Sequence, residues 1–204
     1  MKKAVWGVRI RRAGLLALIL ASASCGTQTR DGTSSSYLII SALEGASGAD
    51  PSKFATGVAS DVITVKDSVA TVFEDPGRVT LKLGLKDPGS AATPASPTPN
   101  NSITLSQYHV QFVRSDGHNI EGVDVPYAFD GGITVTVSSS DVSAGFSLVR
   151  VQAKQEAPLA ALQTNPIALS TIARVTFYGH DQTGREVSVM GTIGVTFANY
   201  GDPK

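Results

Sequence analysis

Cysteine is nearly missing from this chain: Cys25 is the only one in 204 residues. A single thiol cannot close an internal disulfide, so a disulfide-stapled scaffold is excluded. Histidine is scarce as well. His109, His118 and His180 share no i, i+4 or His-x-His spacing, which argues against a zinc site. Catalytic signatures are lacking too. There is no Gly-x-Ser-x-Gly elbow, no His-Glu-x-x-His, no Walker loop and no Gly-x-Gly-x-x-Gly. Neither an enzymatic activity nor a cofactor is expected on this basis. Long apolar runs are also wanting. The run at 13–21, AGLLALILA, is about half of the roughly 20 residues that a membrane-spanning helix needs.

An excess of charge is missing as well, with 17 basic and 17 acidic residues. The balance is uneven along the chain. Lys2, Lys3, Arg9, Arg11 and Arg12 precede the first acid, Asp31. Removal of residues 1–24 takes those five basic residues and no acid, leaving a net charge of −5. A mildly acidic body argues against a nucleic-acid partner.

What is present begins with a basic segment, the short apolar run and small residues, which is the build of a secretory signal peptide over residues 1–24. Ser22-Ala23-Ser24-Cys25-Gly26 resembles the lipobox of bacterial lipoproteins, with Ser22 standing where Leu is commonest. The resemblance implies that Cys25 receives diacylglycerol, becomes the new N-terminus and anchors the chain to a membrane. Several acyl chains give stable anchoring where one alone is marginal. Gly26 in place of Asp after the Cys implies, by resemblance to enteric sorting, the outer membrane. The small polar residues up to Ser36 complete a flexible tether over 25–36.

The body, residues 37–204, reads as a single β domain. Apolar residues alternate with polar ones at 172–198, where Ala173, Val175 and Phe177 are followed, past a break at 180–184, by Val187, Val189, Ile193, Val195 and Phe197. A period of two places each set on one face of a strand. The break, His180-Asp181-Gln182-Thr183-Gly184, has turn chemistry. Further strands are expected at 37–43, 61–65, 68–73, 78–86, 103–114, 133–137 and 146–153. A turn is expected at Glu74-Asp75-Pro76-Gly77, and a single helical turn at 156–162. The four prolines of residues 87–101 predict an exposed, extended loop.

About nine short strands with regular turn signals favour an all-β, immunoglobulin-like antiparallel β-sandwich. The stretch FYGHDQTGREVSV resembles the closing hairpin of many bacterial immunoglobulin-like modules, and the whole plan resembles uncharacterised bacterial lipoproteins carrying such a domain. That resemblance implies architecture and location, and no activity.

One long loop, 115–131, is the candidate site. It carries the acids Asp116, Glu121, Asp124 and Asp130 beside the aromatics Tyr127 and Phe129. Oxygen ligands in a loop suit Ca²⁺, yet the spacing does not match an EF-hand, and no metal is expected. The leading expectation is a lipid-anchored module of the bacterial envelope with a structural or protein-interaction role, holding the membrane through Cys25 and an envelope protein as partner. The alternative is a domain that binds carbohydrate, peptide or Ca²⁺ through this loop.

Overall fold

The computed structural model describes residues 32–201. Cys25, the expected signal peptide and most of the expected tether lie outside the described residues. The ten strands are β1 (Ser36–Gly45), β2 (Gly57–Asp61), β3 (Thr64–Lys66), β4 (Val69–Thr71), β5 (Asp75–Leu85), β6 (Ile103–Val113), β7 (Phe129–Val137), β8 (Val142–Val149), β9 (Leu169–Asp181) and β10 (Glu186–Ala198). Two short helices, α1 (Val151–Gln155) and α2 (Leu159–Leu162), join β8 to β9.

The protein is an all-β sandwich. One sheet has the order β1-β5-β8, the other β2-β10-β9-β6-β7, and β3-β4 is a separate hairpin. The β2/β10 pair is parallel, whereas the other pairs are antiparallel. The order matches strands A-B-E facing A′-G-F-C-C′ of an immunoglobulin-like sandwich without a D strand. The alternating apolar residues of both sheets meet between them. Leu81, Val110, Val175, Phe177, Val195 and Phe197 are fully buried. Tyr108, Phe146 and Phe177 pack edge-on or tilted, with the rings of Phe146 and Phe177 5.3 Å apart.

Strand β6 changes face part way. Ile103 and Leu105 are buried, and so are Tyr108, Val110 and Phe112. The register to both neighbours shifts between Leu105 and Gln107. A bulge at Ser106 swaps odd for even positions and keeps both sets of side chains on the core side.

Four expectations are corrected. The strand at 61–65 is instead the end of β2 and the start of β3, because Asp61 turns the chain by accepting from Thr64 Oγ1 at 2.7 Å. The turn at 74–77 is instead the start of β5. Pro76 is tolerated there because the register slips between Asp75 and Pro76, which relieves the ladder of one donor. The last strand before the helices ends at Val149, and residues 151–153 are helical. The loop expected at 115–131 ends at Ala128, since Phe129, Asp130 and Gly131 pair with β6 as part of β7.

The strand directions define two poles. At one lie residues 32–35, the loop 86–102 and the turns 138–141 and 182–185. At the other lie 46–56, the β3-β4 hairpin, the loop 114–128 and the two helices.

Candidate functional site

The loop 114–128 is compact because its polar groups are spent on its own backbone. Arg114 N–H donates to Asn119 Oδ1 at 2.6 Å, and Ile120 N–H donates to Asp124 Oδ2 at 3.0 Å. The Asp124 and Gly122 amides return to the Ile120 and Val125 carbonyls at 2.7 and 2.8 Å. Gly122 has φ +74, and a Cβ there would strike the Tyr127 ring and hydroxyl. Glycine is therefore needed twice over, for the turn and for the ring laid across it.

Asp116 pairs with Arg114, whose Nε donates to Oδ1 at 3.1 Å. That hydrogen bond, with help from the His118 amide, lowers the Asp116 carboxyl to about 2. Asp130 sits on β7, and its Oδ1 lies 2.9 Å from His109 Nδ1 on β6. Glu121 is exposed. The acids thus face separate partners. Among the described residues no three His, Cys, Asp or Glu side chains gather in a way that holds a metal ion.

The apolar residues of the loop divide sharply. Val125 is fully buried and Phe129 is 5% exposed, with the Arg150 guanidinium 4.1 Å from its ring centre. Phe129 therefore belongs to the core and not to the loop surface. Ile120, Val123 and Tyr127 are exposed at 65%, 64% and 51%. The three lie within residues 120–127, on the same loop as the acids Asp116, Glu121 and Asp124. Val69, Phe73 and Ile167 add exposed apolar side chains at the same pole. The other pole is not free of such groups: Tyr178 is 41% exposed and lines a cleft with Gly32, Ser34 and Lys86.

Sequence reasoning did not find the buried polar centre. Asp75 Oδ1 accepts from Lys154 Nζ and from the Gly48 amide, both at 2.7 Å, and Oδ2 accepts from Ser60 Oγ at 2.5 Å. Lys154 Nζ also donates to the Asp61 carbonyl at 2.8 Å. Burial pushes the Asp75 carboxyl above its ordinary value, and the bonds from Lys154, Ser60 and Gly48 pull the other way. Asp75, Lys154 and Ser60 are all fully buried. The centre therefore ties β5, β2 and α1 together and offers no access to a ligand. Its sequence signal was an Asp-Pro pair that looked like a turn.

A half-open cleft of about 900 Å³ is lined by Gly32, Ser34 and Lys86 together with Gln107, Tyr178 and Glu186. No protein-family model, no curated protein and no solved structure matches this chain.

Proposed function

We propose that this protein is a lipid-anchored module of the bacterial cell envelope that binds a protein partner through the pole bearing residues 114–128. The observation that supports the reading is the exposure of Ile120, Val123 and Tyr127 on one loop tied by its own hydrogen bonds. Exposed apolar groups gathered on one part of a domain mark interaction surfaces. Aromatic anchors within a polar rim are the usual anatomy of such surfaces. The exposed Glu121 suits a partner with a basic group beside an apolar hollow, whereas Asp116 and Asp124 are engaged by Arg114 and the Ile120 amide. Cys25, following its apolar segment, supplies the anchor, and no nucleic acid is involved.

Two measurements test the reading. Radioactive palmitate should label the protein, and Cys25→Ala should release it from the membrane fraction; an unlabelled wild type refutes the anchor. Cross-linking in intact envelopes should recover a partner from the wild type and not from an Ile120→Ser/Val123→Ser/Tyr127→Ser variant of unchanged melting temperature. Equal recovery from both removes the loop from the binding surface.

A further inference from the structure

The end of the tether is fastened to the domain. Ser34 and Ser36 are buried although they precede or open the first strand. Ser36 Oγ donates to the Asn101 carbonyl at 2.6 Å, and Asn101 Nδ2 donates to Ser35 Oγ at 3.0 Å. The Lys86 amide donates to the Ser35 carbonyl at 3.0 Å, and Lys86 Nζ reaches the Gly32 carbonyl. Gly32 lies against the start of β10, where a Cβ would come within 3.2 Å of the Glu186 carbonyl. Residues 32–36 are a strap across one pole, held by Asn101 and Lys86.

From this strap we infer that the protein has a fixed polarity at the membrane: the pole of residues 86–102 faces the lipid, and the loop 114–128 is carried on the far side. The inference rests on the anchoring through Cys25 proposed above. Seven chain steps separate Cys25 from Gly32. Fully extended they span about 25 Å, and as a flexible coil about 15 Å. The thirteen residues of β9 run from one pole to the other, about 40 Å at strand rise. The anchor therefore holds the strapped pole close to the lipid surface, while the opposite pole stands on average farther from it. Were the whole of 25–36 free, the leash would have eleven chain steps instead of seven and would not favour one pole as strongly. The apolar groups Ile120, Val123 and Tyr127 are thereby presented to a protein across the periplasmic space or on a neighbouring envelope component, and not to the bilayer that holds the chain.

The test uses the full lipidated chain in vesicles of phosphatidylethanolamine and phosphatidylglycerol that include a headgroup-quencher lipid. A fluorophore is attached at Ala92→Cys in one sample and at His118→Cys in another; Cys25 is blocked by its lipid. Quenching at 92 should exceed that at 118 several-fold, and Lys86→Ala/Asn101→Ala, which frees the strap, should shrink the difference. Equal quenching, or stronger quenching at 118, on vesicle-bound protein overturns the polarity and leaves the anchor standing. Protein that stays out of the vesicle fraction overturns anchor and polarity together.

Discussion

Lys154 Nζ and Asp75 Oδ1 meet at 2.7 Å with neither side chain exposed to solvent. A buried pair of this kind contributes little net stability relative to apolar replacements, but losing one partner strands a charge in a poor solvent. Lys154→Met should therefore cost about 3–5 kcal/mol in urea denaturation. Lys154→Met combined with Asp75→Asn should cost less than the two single changes added together. Additive losses would mean that the two groups do not depend on each other.

Phe129 and Tyr127 are two residues apart and should behave in opposite ways. Phe129→Ala removes a buried ring and should lower stability by about 3–5 kcal/mol. Tyr127→Ala removes a half-exposed ring that lies over Gly122, so its melting temperature should change little while partner recovery falls. Comparing melting temperature with cross-linked yield for the two variants checks this division. A large stability loss from Tyr127→Ala would place its ring in the core.

Asp181 governs the closing turn. Burial pushes its carboxyl up, but hydrogen bonds from Thr183 and the Arg185 amide outweigh that and hold it well below the ordinary value of 3.8. A depressed value in the folded state adds stability above the unfolded value, and that stability is lost as pH falls through the folded one. Between neutral pH and the acid range below 3.8, the wild type should lose stability more steeply than Asp181→Asn. Chemical denaturation across that range reads the difference, and parallel curves would show that the turn does not sense Asp181 ionisation.

The proline loop divides into a free part and a tied part. Residues 89–97 are exposed, whereas Asn101 holds Ser35 and Ser36. Replacing 89–97 by a short Gly-Ser link should leave the melting temperature nearly unchanged. Asn101→Ala should expose the strap to proteolysis near Gly32, seen as faster N-terminal trimming. Equal trimming of Asn101→Ala and wild type would mean that Lys86 holds the strap without it.

The sandwich was legible because its two longest strands alternate from end to end. Residues 172–198 contain most of the two longest strands, and Ala173, Val175, Phe177, Val195 and Phe197 are buried as the period of two requires. The bulge at Ser106 was written in the sequence as well, as a change from odd to even apolar positions between Leu105 and Tyr108, and it needed both neighbouring registers to become visible. The misread places are those where a local signal met a distant partner. Asp75-Pro76 has turn chemistry, yet Lys154, seventy-nine residues away, holds the carboxylate inside. Phe129 follows a polar loop, yet its ring is claimed by the core and by Arg150. The Ser-rich segment before Tyr37 has a linker's composition, and only the approach of Asn101 and Lys86 fastens its last residues. In the candidate site, the sequence disclosed which residue types stand in the loop; the split between buried Phe129 and Val125 and exposed Ile120, Val123 and Tyr127 required three-dimensional packing.

The strap enters at one pole and runs straight into β1, which lies alongside β5 over nine paired positions. A pull between the membrane and a partner gripping the opposite pole is directed along the strands and crosswise to the ladder bonds. Such a load falls on many hydrogen bonds at once and does not peel them one by one. On the anchoring and binding pole proposed above, the placement of the strap makes the domain a tension-bearing link, loaded along the line from its leash to its grip.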